Sequence, residues 1–158
     1  MKLPRRDLIV VVLTSFTTLA VVAFAQTQAL TPPKAKPRLV SAVYDWAKIA
    51  PKPTGTGARR DFFDGPTNTL ENFECHVTSL NPGAIAHLPH RHPDEELIVV
   101  KEGTLEVTIN DTAQQAGAGS IFFYSSNDLH GMKNVGSMMA TYYVFRFITG
   151  ATPKATAN

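Results

Sequence analysis

Beyond residue 59 the chain alternates between short apolar, β-branched runs and clusters of turn-forming residues. The runs fall at 70–80, 96–100, 104–109, 120–124, 131–134 and 139–148. Each has the length of a strand, and enrichment in Val, Ile, Thr, Phe and Tyr favours strand over short buried helix. Asn81-Pro82-Gly83, Glu102-Gly103, Asn110-Asp111, Asn127-Asp128 and Val135-Gly136-Ser137 punctuate the runs as turns. Upstream, 41–46 predicts a first strand, whereas the Pro and Gly density of 50–58 predicts an irregular loop. No long amphipathic helix is evident after the N-terminal segment. Many short strands joined by turns predict an all-β sandwich or barrel, and roughly 110 residues suffice for one core but not two.

The first 25 residues read as a secretory signal peptide: basic Lys2, Arg5 and Arg6, an apolar stretch from Leu8 to Phe24, and the small-x-small site Ala23-Phe24-Ala25. Thr14, Ser15, Thr17 and Thr18 dilute the stretch and make it a poor permanent anchor, a retained signal anchor being the alternative. Arg5-Arg6 before Asp7-Leu8-Ile9 also resembles a twin-arginine export signal. That route carries folded proteins, so a metal could be inserted before export, bypassing the affinity order that favours copper and zinc over manganese and iron. A periplasmic or secreted location is expected. Residues 26–58 then form a linker and irregular N-terminal arm, 59–149 the folded domain, and 150–158 a flexible tail.

Signal removal changes the charge balance. The 158-residue chain carries 15 basic and 13 acidic residues; the leader holds three of the former and one of the latter, leaving 12 of each. A formally neutral domain without a basic stripe gives no footprint for nucleic acid, and none is expected as a partner. No stable membrane span remains after the signal is removed. Cys75, the only cysteine, cannot form an internal disulfide. It shares one strand face with Phe73 and Val77, which predicts a small apolar filler rather than a redox thiol.

The candidate chemistry lies in His90-Arg91-His92, followed by Glu96. In an extended run alternate residues point the same way, so His90, His92 and Glu96 would share a face if the run is unbroken. Glu96 opens the apolar Leu97-Ile98-Val99-Val100, where an unpaired carboxylate is costly and a metal would offset that cost. The other reading is a polar surface loop among Pro89, Pro93 and the acidic Asp94-Glu95-Glu96. Glu95 points to the opposite face and is expected to be solvated.

Gly83, His90, His92, Glu96 and Gly103 resemble the first motif of the cupin superfamily. Gly119, Ser125, Asn127, His130 and Asn134 follow the spacing of the second, Gly-x5-Pro-x-Gly-x2-His-x3-Asn. The likeness spans roughly 70–147. The spacer between Gly83 and His90 is one residue longer than usual, Ser125 stands for the proline, and Asn127 for the second glycine. Asn is the residue that best replaces Gly in a left-handed turn.

The resemblance implies a cupin double-stranded β-helix, or jelly roll, holding one divalent transition metal on His90, His92, Glu96 and His130. His130 enters this set only through the second motif; alone it would read as a turn or core residue. The donors suit Fe or Mn above all, with Zn, Ni, Cu or Co also accepted. Asn134 supports structure near its strand end and is not a ligand. His87 is a surface residue, a fourth imidazole at the mouth or a proton-transfer group; His76 is structural.

Two functions remain open. One is an exported metalloenzyme acting on a small organic molecule, dioxygenase-like or isomerase-like, in which Glu96 also serves as base. The other is a non-catalytic metal- or small-ligand-binding cupin, favoured by the lack of a recognisable base outside the ligand set. A homodimer formed through sheet edges is compatible with the apolar 139–148 run.

Overall fold

The computed structural model describes residues 35–153. The proposed signal peptide and the last residues of the proposed tail lie outside them. Ten strands form two antiparallel sheets. The six-stranded sheet runs β1 (Lys52–Thr54), β2 (Gly57–Gly65), β3 (Asn72–Leu80), β10 (Ala140–Ile148), β5 (Glu95–Glu102) and β8 (Ile121–Tyr124). The four-stranded sheet runs β4 (Ile85–His90), β9 (His130–Asn134), β6 (Thr104–Ile109) and β7 (Thr112–Gly117). This is the expected all-β jelly roll. Among the described residues, no helix is long and apolar enough to cross a membrane.

Leu80, Ile98, Val100, Leu105, Val107, Tyr124, Met132, Ala140, Tyr142 and Val144 meet between the sheets as the core. Period-two alternation produces it: Glu96, Ile98 and Val100 are buried on β5, whereas Glu95, Leu97 and Val99 are less so. The opposite face of the large sheet is covered as well. Cys75 and Val77 are buried there, near an aromatic layer in which Phe63 lies 5.0 Å from Phe73 and Tyr143 stacks on Phe145 at 6.3 Å. Cys75 is thus the expected filler, and burial pushes its thiol up to about 11.

The upstream expectations change. Residues 41–46 make no strand: the segment runs without a ladder partner into a 3-10 turn at Trp46–Lys48, where Asp45 accepts from the Ala47 amide. It docks through side chains, with Tyr44 on Phe63 at 5.1 Å and the Arg60 guanidinium over Trp46 at 4.5 Å. The expected irregular loop at 50–58 is instead the β1–β2 hairpin. Its Pro53 is tolerated because β1 is an edge strand. Gly57 approaches β3 so closely that a Cβ would lie 1.9 Å from the Ser79 carbonyl oxygen. β4 and β7, absent from the sequence expectation, are edge strands of the small sheet, exposed enough to lose the buried/exposed alternation.

Asn134 locks the closed end of the barrel. Fully buried, its Nδ2 donates to the carbonyls of Leu80 and Met138 at 2.9 and 2.8 Å, and its Oδ1 accepts from Gly136 N at 2.9 Å. Asn134→Ala is expected to cost about 2–4 kcal/mol, since it strands buried backbone groups; urea denaturation would measure it, and a loss below about 1 kcal/mol would contradict this role.

The β1–β2 hairpin is also tied by charge. Asp61 accepts from Lys52 Nζ at 2.7 Å and Arg59 Nε at 2.5 Å, and these partners hold its carboxyl down to about 2. A depressed folded-state value means stability that is present above the usual carboxylate range of about 4 and lost as pH falls toward about 2. Asp61→Asn should therefore flatten the acid limb of the stability–pH curve in that window; an unchanged limb would count against the linkage.

Candidate metal centre

Both motifs converge at the open end of the barrel. One ring nitrogen each of His90, His92 and His130 lies within 4.8 Å of the others, with ring centroids 4.7 Å apart for His90–His130 and His92–His130. The strand-parity argument does not explain this. β4 ends at His90, residues 91–94 leave the ladder, and β5 starts at Glu95. His92 is presented by the connecting loop, and backbone contacts hold that loop in place. Asn127 N donates to the His92 carbonyl at 2.8 Å, and Arg91 Nη1 donates to the Asn127 carbonyl at 2.6 Å. Asn127 has φ 63°, the left-handed turn expected where the motif has glycine. The turn of one motif thereby clamps the loop of the other.

The imidazoles are oriented as ligands are. His92 Nδ1 lies 2.8 Å from the Asp94 carbonyl oxygen, and His130 Nδ1 2.8 Å from that of Asp128. A carbonyl can only accept, so each Nδ1 carries a hydrogen, and in the neutral ring, the form that ligates, the lone pair is on Nε2. Both Nε2 atoms are buried with no hydrogen-bond partner among the described residues. Two unpartnered Nε2 atoms beside a third imidazole form a donor set that fits a divalent transition ion. Tyr124 stacks on His130 at 4.0 Å, fixing its ring plane.

Burial lowers His130, and burial together with the neighbouring His87 and His92 lowers His90, so both favour the neutral form that ligates. His92 is different: Asp94 first, and then Glu96, hold it up to about 10. Without an ion its charge balances those carboxylates.

Glu96 is less simply placed. It is buried on the inner face of β5, with Oε1 3.4 Å from His92 Nε2, but it groups with His92 and Asp94 rather than with all three histidines. Its Oε1 also lies 3.1 Å from Arg146 Nε. Burial alone would raise its carboxyl, but His92, Arg146 and His130 outweigh that and lower it. His87 is both exposed and adjacent: register shifts on either side of it in the β4–β9 ladder bring its ring edge-on to His90 at 4.2 Å.

The cluster borders a cavity of about 280 Å³ between the sheets, lined by His90, Glu96, Arg59, His76, Tyr142 and Arg146 among others. Sequence reasoning missed most of these. Arg146 is the one charged residue in the run 139–148, and a charge there needs a partner on each flank. It finds Glu74 on β3 and Glu96 on β5 directly opposite, and Asp94 Oδ2 at 2.6 Å. Glu74-x-His76 has the i, i+2 spacing that sends both side chains inward, a signal that was legible but carried no motif.

A family model described as "Cupin domain" matches residues 76–146. No curated protein sequence matches the chain. Among solved structures, an RmlC-like cupin from Shewanella frigidimarina is 17% identical with a TM-score of 0.57, covering 70% of this chain and 95% of its own. The polyketide cyclase RemF from Streptomyces resistomycificus is 16% identical at 0.57, covering 76% and 88%. A sugar phosphate isomerase of the cupin superfamily from Silicibacter pomeroyi is 20% identical at 0.54, covering 68% and 76%. At these identities the likeness concerns the fold. With both motifs in their places on a two-sheet jelly roll, residues 76–146 are a cupin domain.

Proposed function

We propose that this protein is an exported, metal-dependent cupin that acts on a small organic molecule in the cavity between its sheets. The observation that carries the metal is the pair of buried, unpartnered Nε2 atoms on His92 and His130, facing His90. In this reading His90, His92 and His130 hold one divalent transition ion and Glu96 completes the set. Iron or manganese is favoured by the donors. The bound ion would supply Lewis acidity toward a substrate oxygen. The chain's own part is to keep two imidazoles in one tautomer, to hold Glu96 as an anion beside Arg146, and to line the space where substrate sits. Isomerase-like chemistry is preferred over dioxygenase-like chemistry because the cavity wall carries titratable and hydroxyl groups outside the ligand set, among them His76, Thr78 and Tyr142. Export rests on the N-terminal sequence.

The second reading is a binding protein in which the ion only ties together the strands and loop that carry the histidines. It draws on the ion pairs of Glu96 and Asp94 with Arg146, which leave neither carboxylate free.

Adding metal at about a hundred times Kd to chelator-treated protein should raise Tm by roughly 10 °C. His130→Ala should abolish that rise and retain no metal by elemental analysis; one equivalent held by a His92→Ala/His130→Ala variant would refute the assignment. For the catalytic reading, turnover should vanish together with the metal in His92→Ala. Activity persisting in a demonstrably metal-free variant would leave no role for the ion.

A further inference from the structure

We propose that His76, oriented by Glu74, is the proton-transfer base of the cavity and acts on a small hydroxylated carbonyl compound by removing a C–H proton next to the carbonyl. The inference rests on the proposed reading only in placing substrate in this cavity. His76 and Glu74 share the inner face of β3, and His76 lines the same space as His90 and Glu96 although it belongs to neither motif. Its Nδ1 lies 2.9 Å from Glu74 Oε1. That carboxylate is itself held by Arg59 Nη2 at 2.5 Å and lies 3.6 Å from Arg146 Nη1.

Such a carboxylate accepts hydrogen bonds and does not donate them. The hydrogen of the neutral imidazole therefore sits on Nδ1, and the lone pair is on Nε2. A structural histidine would spend both nitrogens on the protein. Here Nε2 makes no hydrogen bond among the described residues, and it is absent from the buried polar atoms that lack a partner, as expected where the ring meets the cavity. A base whose far nitrogen is fixed by a carboxylate is the arrangement that acid–base enzymes use to hold tautomer and aim. Glu96 does not offer this, because its carboxylate is engaged by Arg146 and lies beside His92.

The wall indicates the substrate class. Thr54, Thr56 and Thr78 contribute hydroxyls, Arg59 a guanidinium and Tyr142 a phenol. A space of about 280 Å³ suits a compound of roughly three to six carbons. Hydroxyl-rich walls favour a hydroxylated ligand over an apolar one. In the step, His76 Nε2 takes the proton from the carbon beside the carbonyl. The C–H electron pair becomes the C=C bond, and the carbonyl π pair moves to oxygen as an enolate. Return of the proton from the imidazolium to carbon closes the cycle. No electron leaves the substrate and no co-reactant is needed.

The test uses the full-length, metal-loaded protein in D2O with dihydroxyacetone and glyceraldehyde as probes, following loss of their C–H signals by proton NMR. Wild type should accelerate exchange over buffer. His76→Gln should lower it about 100-fold or more with metal content unchanged and the fold retained, and added imidazole should partly restore exchange in His76→Ala. Metal-bound wild type with no exchange above buffer overturns the proposal, as does a folded His76→Gln that exchanges like wild type. Should the His76 variants fail to fold, nitrogen NMR of the wild-type ring decides: hydrogen on Nδ1 supports the assignment, and hydrogen on Nε2 overturns it. Exchange that persists without metal and depends on His76 keeps this proposal while removing the metal-dependent reading.

Discussion

One guanidinium organises the polar half of the barrel. Arg146 stands on β10 directly between Glu74 on β3 and Glu96 on β5, and it reaches Asp94 in the loop before β5. Three carboxylates crowded into a partly buried region would repel one another and resist burial without a fixed cation among them. The pairing also pins the sheet. A slip of one residue in β10 would carry Arg146 to the aromatic outer face and bring Phe145 among the carboxylates. Strand register and site electrostatics are therefore one constraint rather than two.

The remaining charge follows from that hub. Glu74 joins Arg146 to Arg59 and His76, while Asp94 and Glu96 join it to His92. A continuous polar network thus runs from the cavity wall to the histidine cluster. The apolar core of Leu80, Val100, Leu105 and Ala140 fills the other end of the barrel, where Asn134 satisfies backbone groups that the sheets leave unpaired. One end is packed tightly for stability, and the other carries polar groups around an open space.

The centre is assembled by loops that clamp each other. His92 leaves the ladder between β4 and β5, and the left-handed turn at Asn127 holds its backbone. Gly131, next to His130, packs on Pro89, next to His90; a Cβ at Gly131 would lie 3.3 Å from the proline ring. Small and turn-forming residues around the histidines therefore act by letting two backbones approach, which is what brings residues some forty positions apart to one point.

Much of this was legible along the chain. The central strands are apolar and β-branched because they are covered on one face or both, so 70–80, 96–100, 104–109 and 139–148 announced themselves. Edge strands β1, β4 and β7 did not, because exposure removes the need for apolar side chains and permits Pro and Gly. Residues 41–46 looked like a strand but dock by aromatic contacts instead, and those depend on partners far away in sequence. Among the site residues, His90, His92, Glu96 and His130 could be named from motif spacing. Their convergence, the tautomers set by the Asp94 and Asp128 carbonyls, and the nearness of His87 to His90 required the loops and register shifts of the folded barrel. Residue type and spacing settled which donors exist and which faces are apolar, since both are local properties of strands. Which nitrogen is free, which carboxylate is already paired and which histidine meets the cavity were decided only in three dimensions, because each depends on neighbours that the chain alone does not order.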